Sequence, residues 1–381
     1  MDGAAMSTAA EMVAPAPITA DVATTFSTTA SQRARPHRPG IDDFPRTTKF
    51  VARVINKSLP FVILGLVGYA IYVYCFLYCW TEVVSFHSRR VGIALICAFC
   101  VILTLLFVTW AQILVVGPGR YQPDEAATAV VGVATDTGRV MEKQAALREV
   151  FVCDPYGYPL WCSTCQMHKP DRVHHSAELG YCVPKMDHLC NWVGGVIGLT
   201  NYRFFMQFLG YFTLLLSFLV ASMAVFTSTY KARTGTQPVH LIVIFVISGF
   251  WLVLLLAFTA VHISYVLTNT TTIESMRYKQ SDFPIFNFRE TAHSNLRIVS
   301  RMRRTDPRPY SLGAAANWRG VMGTSALYWV LPLPLPQAER ECSFSEFNPA
   351  LLALFRERYA RREEGYPAVR DPPSQQQQSA K

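Results

Sequence analysis

Four long apolar stretches dominate the hydrophobic pattern of the chain, and none of them contains Asp, Glu, Lys or Arg. A helix needs about 20 residues to cross a hydrocarbon core of roughly 30 Å, and an ionisable group at its centre costs several kcal/mol. Buried helices of a large soluble enzyme rarely repeat four times at this length without a charge. The pattern therefore predicts four transmembrane helices, at about residues 61–80, 91–116, 204–226 and 239–267.

The predicted spans divide the chain into five segments. The first, 1–59, is rich in Ala, Thr, Ser and Pro and is predicted to be a disordered tail. It lacks the short apolar run of a cleaved signal peptide, so the first span is expected to act as the membrane signal. Two pairs of transmembrane helices, at 60–116 and 204–267, flank a polar loop at 117–203. The last segment, 268–381, is predicted to be partly disordered.

The distribution of Lys and Arg predicts the orientation of the spans. Of the 35 Lys and Arg residues, 7 precede the first span, 8 lie between the second and third, and 16 follow the fourth. The hairpins at 81–90 and 227–238 hold only 2 each. Basic residues are kept on the cytosolic side during insertion. Both termini and the 117–203 loop are therefore expected in the cytosol.

Composition and charge indicate a protein of the lipid bilayer and not a nucleic-acid binder. The chain is 51% hydrophobic and 16% charged, with a formal net charge of +9. Nothing in it resembles a nucleic-acid recognition module. The charge is explained by the cytosolic basic residues and favours contact with anionic lipid headgroups. Five arginines just beyond the last span would contribute to that contact, namely Arg297, Arg301, Arg303, Arg304 and Arg308.

The ten cysteines fall into two main groups with different expected roles. Four of them lie within the first two spans, where a small polarizable side chain packs well and needs no other explanation. Five more crowd into 38 residues of the cytosolic loop, a reducing place where disulfides are seldom kept. That second group, a candidate for chemistry, is Cys153, Cys162, Cys165, Cys182 and Cys190.

Part of the loop has the spacing of a structural zinc site. Cys162 and Cys165 form a Cys-x2-Cys pair, and His175 and Cys182 follow. Two thiolates from one turn, a histidine and a third thiolate complete the tetrahedron of a closed zinc site, and binding the metal would fold a loop with few apolar residues. His174 is an alternative ligand to His175, because spacing does not choose between them. Unligated thiols in a flexible loop are the other interpretation.

Cys190 remains, together with Asp187 and His188. A thiol becomes a nucleophile when a neighbouring base takes its proton, and a carboxylate can hold a histidine in the tautomer that does so. Three such residues in a loop mean little by themselves. A thiol beside a metal-folded scaffold at the end of a helix bundle, however, is well placed to exchange acyl groups with a lipid-soluble chain.

Residues 159–205 resemble the cysteine-rich domain of the DHHC protein S-acyltransferases, also called palmitoyltransferases. The resemblance continues in "TTIE" at Thr271, Thr272 and Glu274, and in a carboxy-terminal element with Asn317. The DPG element after the second span is present only as "GPG" at 117–119. The matching residues of the cysteine-rich segment are Cys162, Cys165, Lys169, Pro170, Arg172, His175, Cys182, Val183, Asp187, His188, Cys190, Trp192, Gly198, Asn201, Tyr202 and Phe205.

The chain departs from the family pattern at a second zinc site. The family usually binds two zinc ions, but the second set of ligands falls here on Ser176, Leu179, Leu189 and Val196, so one structural ion is expected. The same change turns the signature into Asp-His-Leu-Cys, which is similar to a fungal branch of the family. We expect hydrophobic packing of the three apolar residues to hold the active loop in place of the ion.

The resemblance implies an all-α polytopic membrane protein with a zinc-binding domain between its second and third helices, and a protein S-palmitoyltransferase. Cys190 would carry an acyl group from palmitoyl-CoA to cysteines of client proteins close to the membrane. His188 would serve as the base and Asp187 would orient it. Weak candidates to bind the phosphates of CoA are Lys169, Arg172 and Arg203.

Three other functions fit parts of the sequence. A non-catalytic zinc scaffold that binds acylated partners would not need Asp187, His188 and Cys190. A membrane ubiquitin ligase needs eight ligands, of which four good ones exist. A transporter is disfavoured because the spans hold no charges. His262, near the end of the fourth span, is expected at the membrane interface.

Overall fold

A computed structural model describes residues 46–123, 129–134, 140–145, 149–236, 238–291, 297–336, 346–363 and 366–368. The chain divides into two compact units, Met1–Asn56 and Lys57–Lys381. Most of the tail predicted to be disordered lies outside the described residues, as does the end of the chain after residue 368. The first helix begins at Arg46, well before the apolar span, so residues 46–59 of that tail are helical.

Among the described residues, four helices are long and apolar enough to cross a membrane, which confirms the predicted spans. The first, α1, continues over Tyr72–His87 in the wider turns of a π-helix. Residues 73–83 of that segment pack against the second and third helices, with Tyr74 and Phe99 fully buried. The helices are α1 (Arg46–Ile71), α2 (Arg89–Val116), α3 (Tyr202–Thr234) and α4 (Val239–Leu267).

Local sequence explains where the second helix begins and ends. The Ser88 hydroxyl accepts a hydrogen bond from the Val91 backbone N–H, 3.4 Å away, which caps the exposed first turn. Gly117 ends the helix with φ +66°, a conformation that a glycine adopts without strain. Glu82 and Arg233 form an ion pair at 2.5 Å that links the far ends of the first and third spans.

The segment between the second and third spans consists of short antiparallel hairpins, which the sequence reasoning did not anticipate. Along the chain, the first of these hairpins pairs β1 (Ala129–Ala134) with β2 (Val140–Ala145), and strand β3 (Val150–Cys153) follows it. Three two-stranded hairpins then follow one another. They are β4 (Trp161–Cys162) with β5 (Met167–His168), β6 (His174–Ser176) with β7 (Tyr181–Val183), and β8 (His188–Cys190) with β9 (Gly195–Ile197).

The carboxy-terminal region contains a small α/β layer built around β3. In chain order, the described elements after the fourth span are α5 (Thr272–Lys279), β10 (Ile285–Arg289), β11 (Arg297–Arg301), α6 (Ala314–Met322), α7 (Ala326–Val330), α8 (Pro349–Ala360) and β12 (Tyr366–Ala368). The antiparallel sheet has the strand order β12-β11-β10-β3. Helix α8 packs on one face of it through Leu351 and Phe355.

Gly198 sits where the end of the cysteine-rich segment crosses the turn after the second span. A Cβ at this position would lie 2.7 Å from Val183 Cγ1 and 2.8 Å from the Pro118 carbonyl oxygen. These distances are shorter than real Cβ contacts, and the carbonyl belongs to the backbone. Only a glycine therefore allows this crossing, which places β9 against the bundle.

We predict that Gly198→Ala destabilises the protein by about 1–3 kcal/mol, the usual cost of forcing an extra methyl group into a packed site. Thermal unfolding in detergent, followed by tryptophan fluorescence, measures the effect. Gly195→Ala is the matched control, because a Cβ there would meet only Leu114 Cδ2 at an ordinary 3.6 Å. Equal melting temperatures for the two variants would contradict this account of the crossing.

Candidate active site

The β8–β9 hairpin positions Cys190 next to His188. Residues two apart in a strand point to the same face, so the imidazole and the thiol of β8 share one side while Leu189 points to the other. Gly194, with φ +80°, donates its N–H to the Cys190 carbonyl at 3.0 Å and closes the turn. Trp110 Nε1 of α2 donates to the Val193 carbonyl at 3.0 Å, which fixes the tip against the bundle.

The carboxylate of Asp187 organises the site. His188 Nδ1 lies 2.6 Å from Asp187 Oδ2. Thr272, the first residue of α5, donates its backbone N–H to Oδ1 at 2.9 Å and its hydroxyl to Oδ2 at 2.7 Å. The carboxylate, only 2% exposed, thus joins the hairpin to the segment after the fourth span. The ion pair orients the imidazole so that Nε2 is left for chemistry.

His188 Nε2 is buried and has no hydrogen-bond partner of ordinary geometry among the described residues. The Cys190 thiol lies on the same face of β8 as the His188 ring. Burial alone would lower the pKa of His188, but Asp187 and Cys190 outweigh it and raise the pKa to about 9. Burial alone would raise the pKa of the Asp187 carboxyl. The hydrogen bonds from His188 and Thr272 outweigh that effect and hold this pKa below its usual value. The arrangement is a strong base held beside a thiol.

The thiol lies in an apolar environment at one end of the helix bundle. Cys190 is 6% exposed and belongs to a buried cluster with Ile113 of α2, Phe205 of α3 and Val266 of α4. These positions are close to the ends of the three spans that adjoin the cysteine-rich segment. The site therefore combines a buried thiol and an imidazole with apolar walls of the kind that suit a hydrocarbon chain.

A second set of contacts ties the cysteine-rich segment to the residues after the fourth span. Arg172, in β-turn geometry with φ +66°, forms a two-pronged ion pair with Glu274 at 2.8 and 3.1 Å. It also donates to Asn269 Oδ1 at 2.9 Å and lies 4.6 Å from the centre of the Tyr310 ring. Glu274 in turn completes a capping box with Thr271 at the start of α5. This network supports Thr272, and through it Asp187.

Four predicted ligands converge in the cysteine-rich segment. One donor atom each of Cys162, Cys165, His175 and Cys182 lies within 4.8 Å of the others. His175 Nδ1 is 3.3 Å from the sulfur of Cys165 and 3.7 Å from that of Cys162. A tetrahedral zinc ion would place sulfur and nitrogen about 3.6 Å apart, given Zn–S and Zn–N bonds of about 2.3 and 2.0 Å. The donor set and the spacing therefore fit one such ion.

Strand geometry separates the two neighbouring histidines that the sequence left as alternatives. His175 faces the three sulfurs, whereas His174, one residue earlier in β6, lines a different cavity with Lys169 and Glu274. Successive side chains of a strand point to opposite faces, so only one of the pair can reach the metal cluster. Burial lowers the pKa of His174 to about 4, so this side chain is neutral.

The positions of the second zinc set hold ordinary hairpin contacts. The Ser176 hydroxyl accepts the Leu179 backbone N–H at 3.3 Å, and Leu189 pairs with Val196 across the β8–β9 ladder. Val196 is 2% exposed and packs as expected, but Leu189 is 43% exposed and contributes little burial. Two side chains hold the loop through its backbone. The Trp110 indole N–H donates to the Val193 carbonyl. The side-chain amide of Asn201 accepts a hydrogen bond from the Gly198 N–H and donates to the carbonyls of Val196 and Ile113.

The structure gives two of the three candidate phosphate ligands other partners. The Arg172 guanidinium is buried against Glu274, and that of Arg203 donates to the backbone carbonyls of Tyr328 and Leu333. Lys169 lines a solvent-open cavity of about 160 Å³ with His174. Arg172 lines the same cavity, but its guanidinium is paired with Glu274.

His262 is the neighbour that sequence reasoning missed. Expected at the membrane interface, it is instead 2% exposed, and its ring centre lies 5.6 Å from that of His188. Its Nδ1 is 3.3 Å from the hydroxyl of Tyr202. A histidine near the end of an apolar span carries no sequence signal for such a contact, because only the packing of α4 against α3 and the hairpin creates it.

Comparisons with known proteins agree with these features. The family described as DHHC palmitoyltransferase matches residues 156–279. The chain is similar to palmitoyltransferase PFA5 of Saccharomyces cerevisiae, with 34% identity over 305 residues that cover 74% of this chain and 80% of the relative. It is 30% identical over 328 residues to palmitoyltransferase PFA5 of Eremothecium gossypii, covering 79% of this chain and 89% of the relative.

The Asp187–His188 pair predicts a pH-dependent contribution to stability. Because folding raises the pKa of His188 from 6.5 to about 9, its stabilisation is complete below pH 6.5 and is lost as the pH rises through 9. The wild type should therefore exceed His188→Gln in stability by roughly 3 kcal/mol at the lower pH, and the gap should close at the higher pH. Thermal melts of both proteins across this range measure it. A gap that widens with pH would contradict the ion pair.

Proposed function

This chain belongs to the DHHC palmitoyltransferase family, and on that premise we propose that it is a protein-cysteine S-palmitoyltransferase whose acyl-carrying nucleophile is Cys190. It moves a long-chain acyl group from acyl-CoA to its own thiol and then to cysteine thiols of client proteins. The observation that carries this assignment is the buried thiol beside an imidazole that Asp187 holds at 2.6 Å. A non-catalytic scaffold would not need this constellation.

In the first step, His188 holds at Nε2 the proton that the Cys190 thiol has given up, and the sulfur attacks the carbonyl carbon of the acyl-CoA thioester. The tetrahedral intermediate collapses as the bond between the acyl carbon and the CoA sulfur breaks. The CoA thiolate takes the proton back from the imidazolium and leaves as the thiol. Asp187 keeps the imidazolium oriented and balances its charge during this exchange.

In the second step, the thiol of a client cysteine gives its proton to His188 and attacks the acyl-Cys190 thioester. The bond between the acyl carbon and the Cys190 sulfur breaks, and Cys190 recovers the proton from the imidazolium. One base therefore serves both exchanges, and no oxidant or external acid is required. The client cysteine must approach the end of the bundle, so a cysteine close to the membrane is the expected substrate.

The apolar cluster around Cys190 supports a long acyl chain as the transferred group. Ile113, Phe205 and Val266 surround the sulfur at the ends of the spans. Transfer of a methylene group from water to such a setting is favourable by about 0.8 kcal/mol, so sixteen carbons bind strongly. Lys169, at the edge of the cysteine-rich segment, would then meet a phosphate of CoA on the aqueous side.

We further propose that both termini and the active site face the cytosol. The excess of Lys and Arg in the 117–203 loop and the two terminal segments supports this orientation. The cytosol supplies both substrates, acyl-CoA and reduced client thiols. It also keeps Cys190 and the metal ligands reduced.

The converging set of Cys162, Cys165, His175 and Cys182 supports one structural zinc ion. When bound, the ion supplies a cross-link between the β4–β5 and β6–β7 hairpins and takes no part in acyl transfer. The two cross-linked hairpins would then hold the following strand, β8, in place relative to Arg172 and Thr272. Two hairpins of two or three residues per strand have little core of their own, so the metal stabilises their fold.

We predict that purified protein incubated with a clickable palmitoyl-CoA analogue acquires a label that hydroxylamine removes. Cys190→Ala should abolish the label because it removes the sulfur that forms the thioester. Cys153→Ala is the matched control, since Cys153 is also a buried thiol of the same region but lies in β3 of the sheet. Equal labelling of the two variants would refute the role of Cys190.

Protein washed with a weak chelator should retain about one zinc ion per chain, because the four ligands complete one tetrahedron. Elemental analysis of the purified protein gives the ratio. Cys165→Ser should lose that ion and unfold at a lower temperature, whereas Cys153→Ser should keep it. Two ions retained after the wash would show that further ligands exist beyond these four.

A further inference from the structure

After α6 the chain returns to the side of the spans along residues 326–333. This segment consists of the short helix α7 and the start of the sequence "LPLPLP" at 331–336. Four of its large apolar side chains are 38–59% exposed, which makes an apolar patch on this side of the molecule. They are Leu327, Trp329, Val330 and Leu333. The acyl-transfer reaction uses none of them.

Side chains of the third span hold this segment by its backbone. Arg203, Gln207 and Tyr211 are four residues apart in α3 and share one face of the helix. Each donates to carbonyl oxygens of the segment, and Gln207 Nε2 reaches two of them at 2.8 and 3.0 Å. Arg203 donates to Tyr328 and Leu333, Gln207 to Tyr328 and Leu331, and Tyr211 to Val330.

A glutamine of the second span completes this set of donors. Gln112 Nε2 donates to the Pro332 carbonyl at 2.6 Å. The amide oxygens of Gln112 and Gln207 are buried and have no hydrogen-bond partner among the described residues. The side-chain hydrogen bonds of both glutamines therefore go to this segment. Polar side chains inside an apolar span are costly, and these two are explained by the carbonyls that they hold.

The donors place the segment at the depth of the hydrocarbon core. The third span, Tyr202–Val225, has 24 residues and is roughly 36 Å long, against a core of about 30 Å. Tyr211 lies roughly 13 Å from the start of this span, so it falls inside the core even if all of the excess length projects on that side. Gln112 lies about 6 Å before the end of α2 at Val116.

The backbone of the segment suits such a place. No water is available inside a bilayer, so backbone polar groups there need partners in the protein. Six consecutive carbonyls, from Tyr328 to Leu333, accept hydrogen bonds from side chains of the two spans. Pro332 carries no N–H to satisfy. The N–H groups of Leu331 and Leu333 bind carbonyls of the segment itself, both at 2.8 Å.

We propose that residues 326–333 form a membrane anchor, inserted into the leaflet on the side of the cysteine-rich segment, and that their exposed apolar side chains contact phospholipid. The neighbouring surface supports lipid as the partner. Val115, three residues after Gln112 on the same side of α2, belongs to a span and is 86% exposed. Trp329 donates its indole N–H to the Gly323 carbonyl at 2.8 Å, which leaves an apolar ring for the lipid.

The anchor also positions α6 beside the active site. Trp318 of α6 packs edge-on against Trp329, with ring centres 5.9 Å apart. Met322 of the same helix belongs to the buried cluster that contains Cys190. Lipid contact requires no chemistry at Cys190, so the anchor is independent of the proposed acyl transfer.

The test uses the full chain in phosphatidylcholine vesicles that contain an alkyne-tagged phosphatidylcholine, with the photo-crosslinking residue p-benzoylphenylalanine at one position. In place of Val330 it should capture tagged lipid about as well as in place of Val253, which is 68% exposed at the middle of α4. In place of Tyr156, 76% exposed in the cysteine-rich segment, it should capture at least about tenfold less, because a probe in water meets few lipid chains.

Capture at position 330 as low as at position 156 would overturn the proposal. A product at twice the mass of the chain, in place of captured lipid, would also overturn it, because the patch would then contact a second copy. Exposed positions carry the probe in all three proteins, so none of these substitutions disturbs the core.

A variant tests the part played by the polar side chains. Gln207→Leu keeps the size of the side chain and removes its donors, so capture at position 330 should fall at least about threefold as the carbonyls leave the lipid for water. Thr213→Val, which removes a hydroxyl of the same helix that bonds to Thr259 at 3.2 Å, is the matched control and should not change it. Capture at position 253 verifies that both variants insert. Equal capture at position 330 in the two variants would contradict the role of Gln207 in holding the anchor.

Discussion

The active site depends on the hydrogen bonds that the buried carboxylate of Asp187 accepts. The carboxylate accepts hydrogen bonds from His188, on the hairpin that carries Cys190, and from Thr272, which follows the fourth span. A carboxylate that is 2% exposed is costly unless every lone pair is matched, so its partners are fixed in place. Losing a partner would leave a buried charge unpaired, so Asp187 rigidly links two parts of the chain that are 85 residues apart.

In this chain, other residues occupy the positions of a second set of metal ligands. Several modest contacts hold the β8–β9 hairpin instead. The backbone of the hairpin is bound by Trp110 at its tip and by Asn201 at its base. Gly198 allows the base to approach the turn after the second span. Leu189, which replaces a metal ligand of the family pattern, is exposed, so hydrophobic burial at that position is not what replaces the ion. Hydrogen bonds from the helix bundle perform that task.

The same environment serves two opposing requirements. The acyl chain needs apolar walls, and Ile113, Phe205 and Val266 provide them around the sulfur. The proton transfers need charge, and charge is unfavourable in such walls unless it is paired. The charges are paired on the side of His188 that faces away from Cys190. Asp187 pairs with His188 there, and Thr272 and the Arg172–Glu274 network support Asp187. The Cys190 thiol thus stays in apolar surroundings while the charge lies next to polar protein groups.

The sequence alone determined the four spans, the metal-ligand spacing and the Asp-His-x-Cys motif, because each depends on residues close together in the chain. Hydrocarbon thickness sets the length of a span, and a hairpin sets which neighbouring side chains share a face. Only the tertiary structure decided that His175 and not His174 joins the thiols, that Arg172 and Arg203 are committed to internal partners, and that His262 lies beside His188. These outcomes arise from the packing of segments distant in sequence, whose relative positions no local pattern specifies.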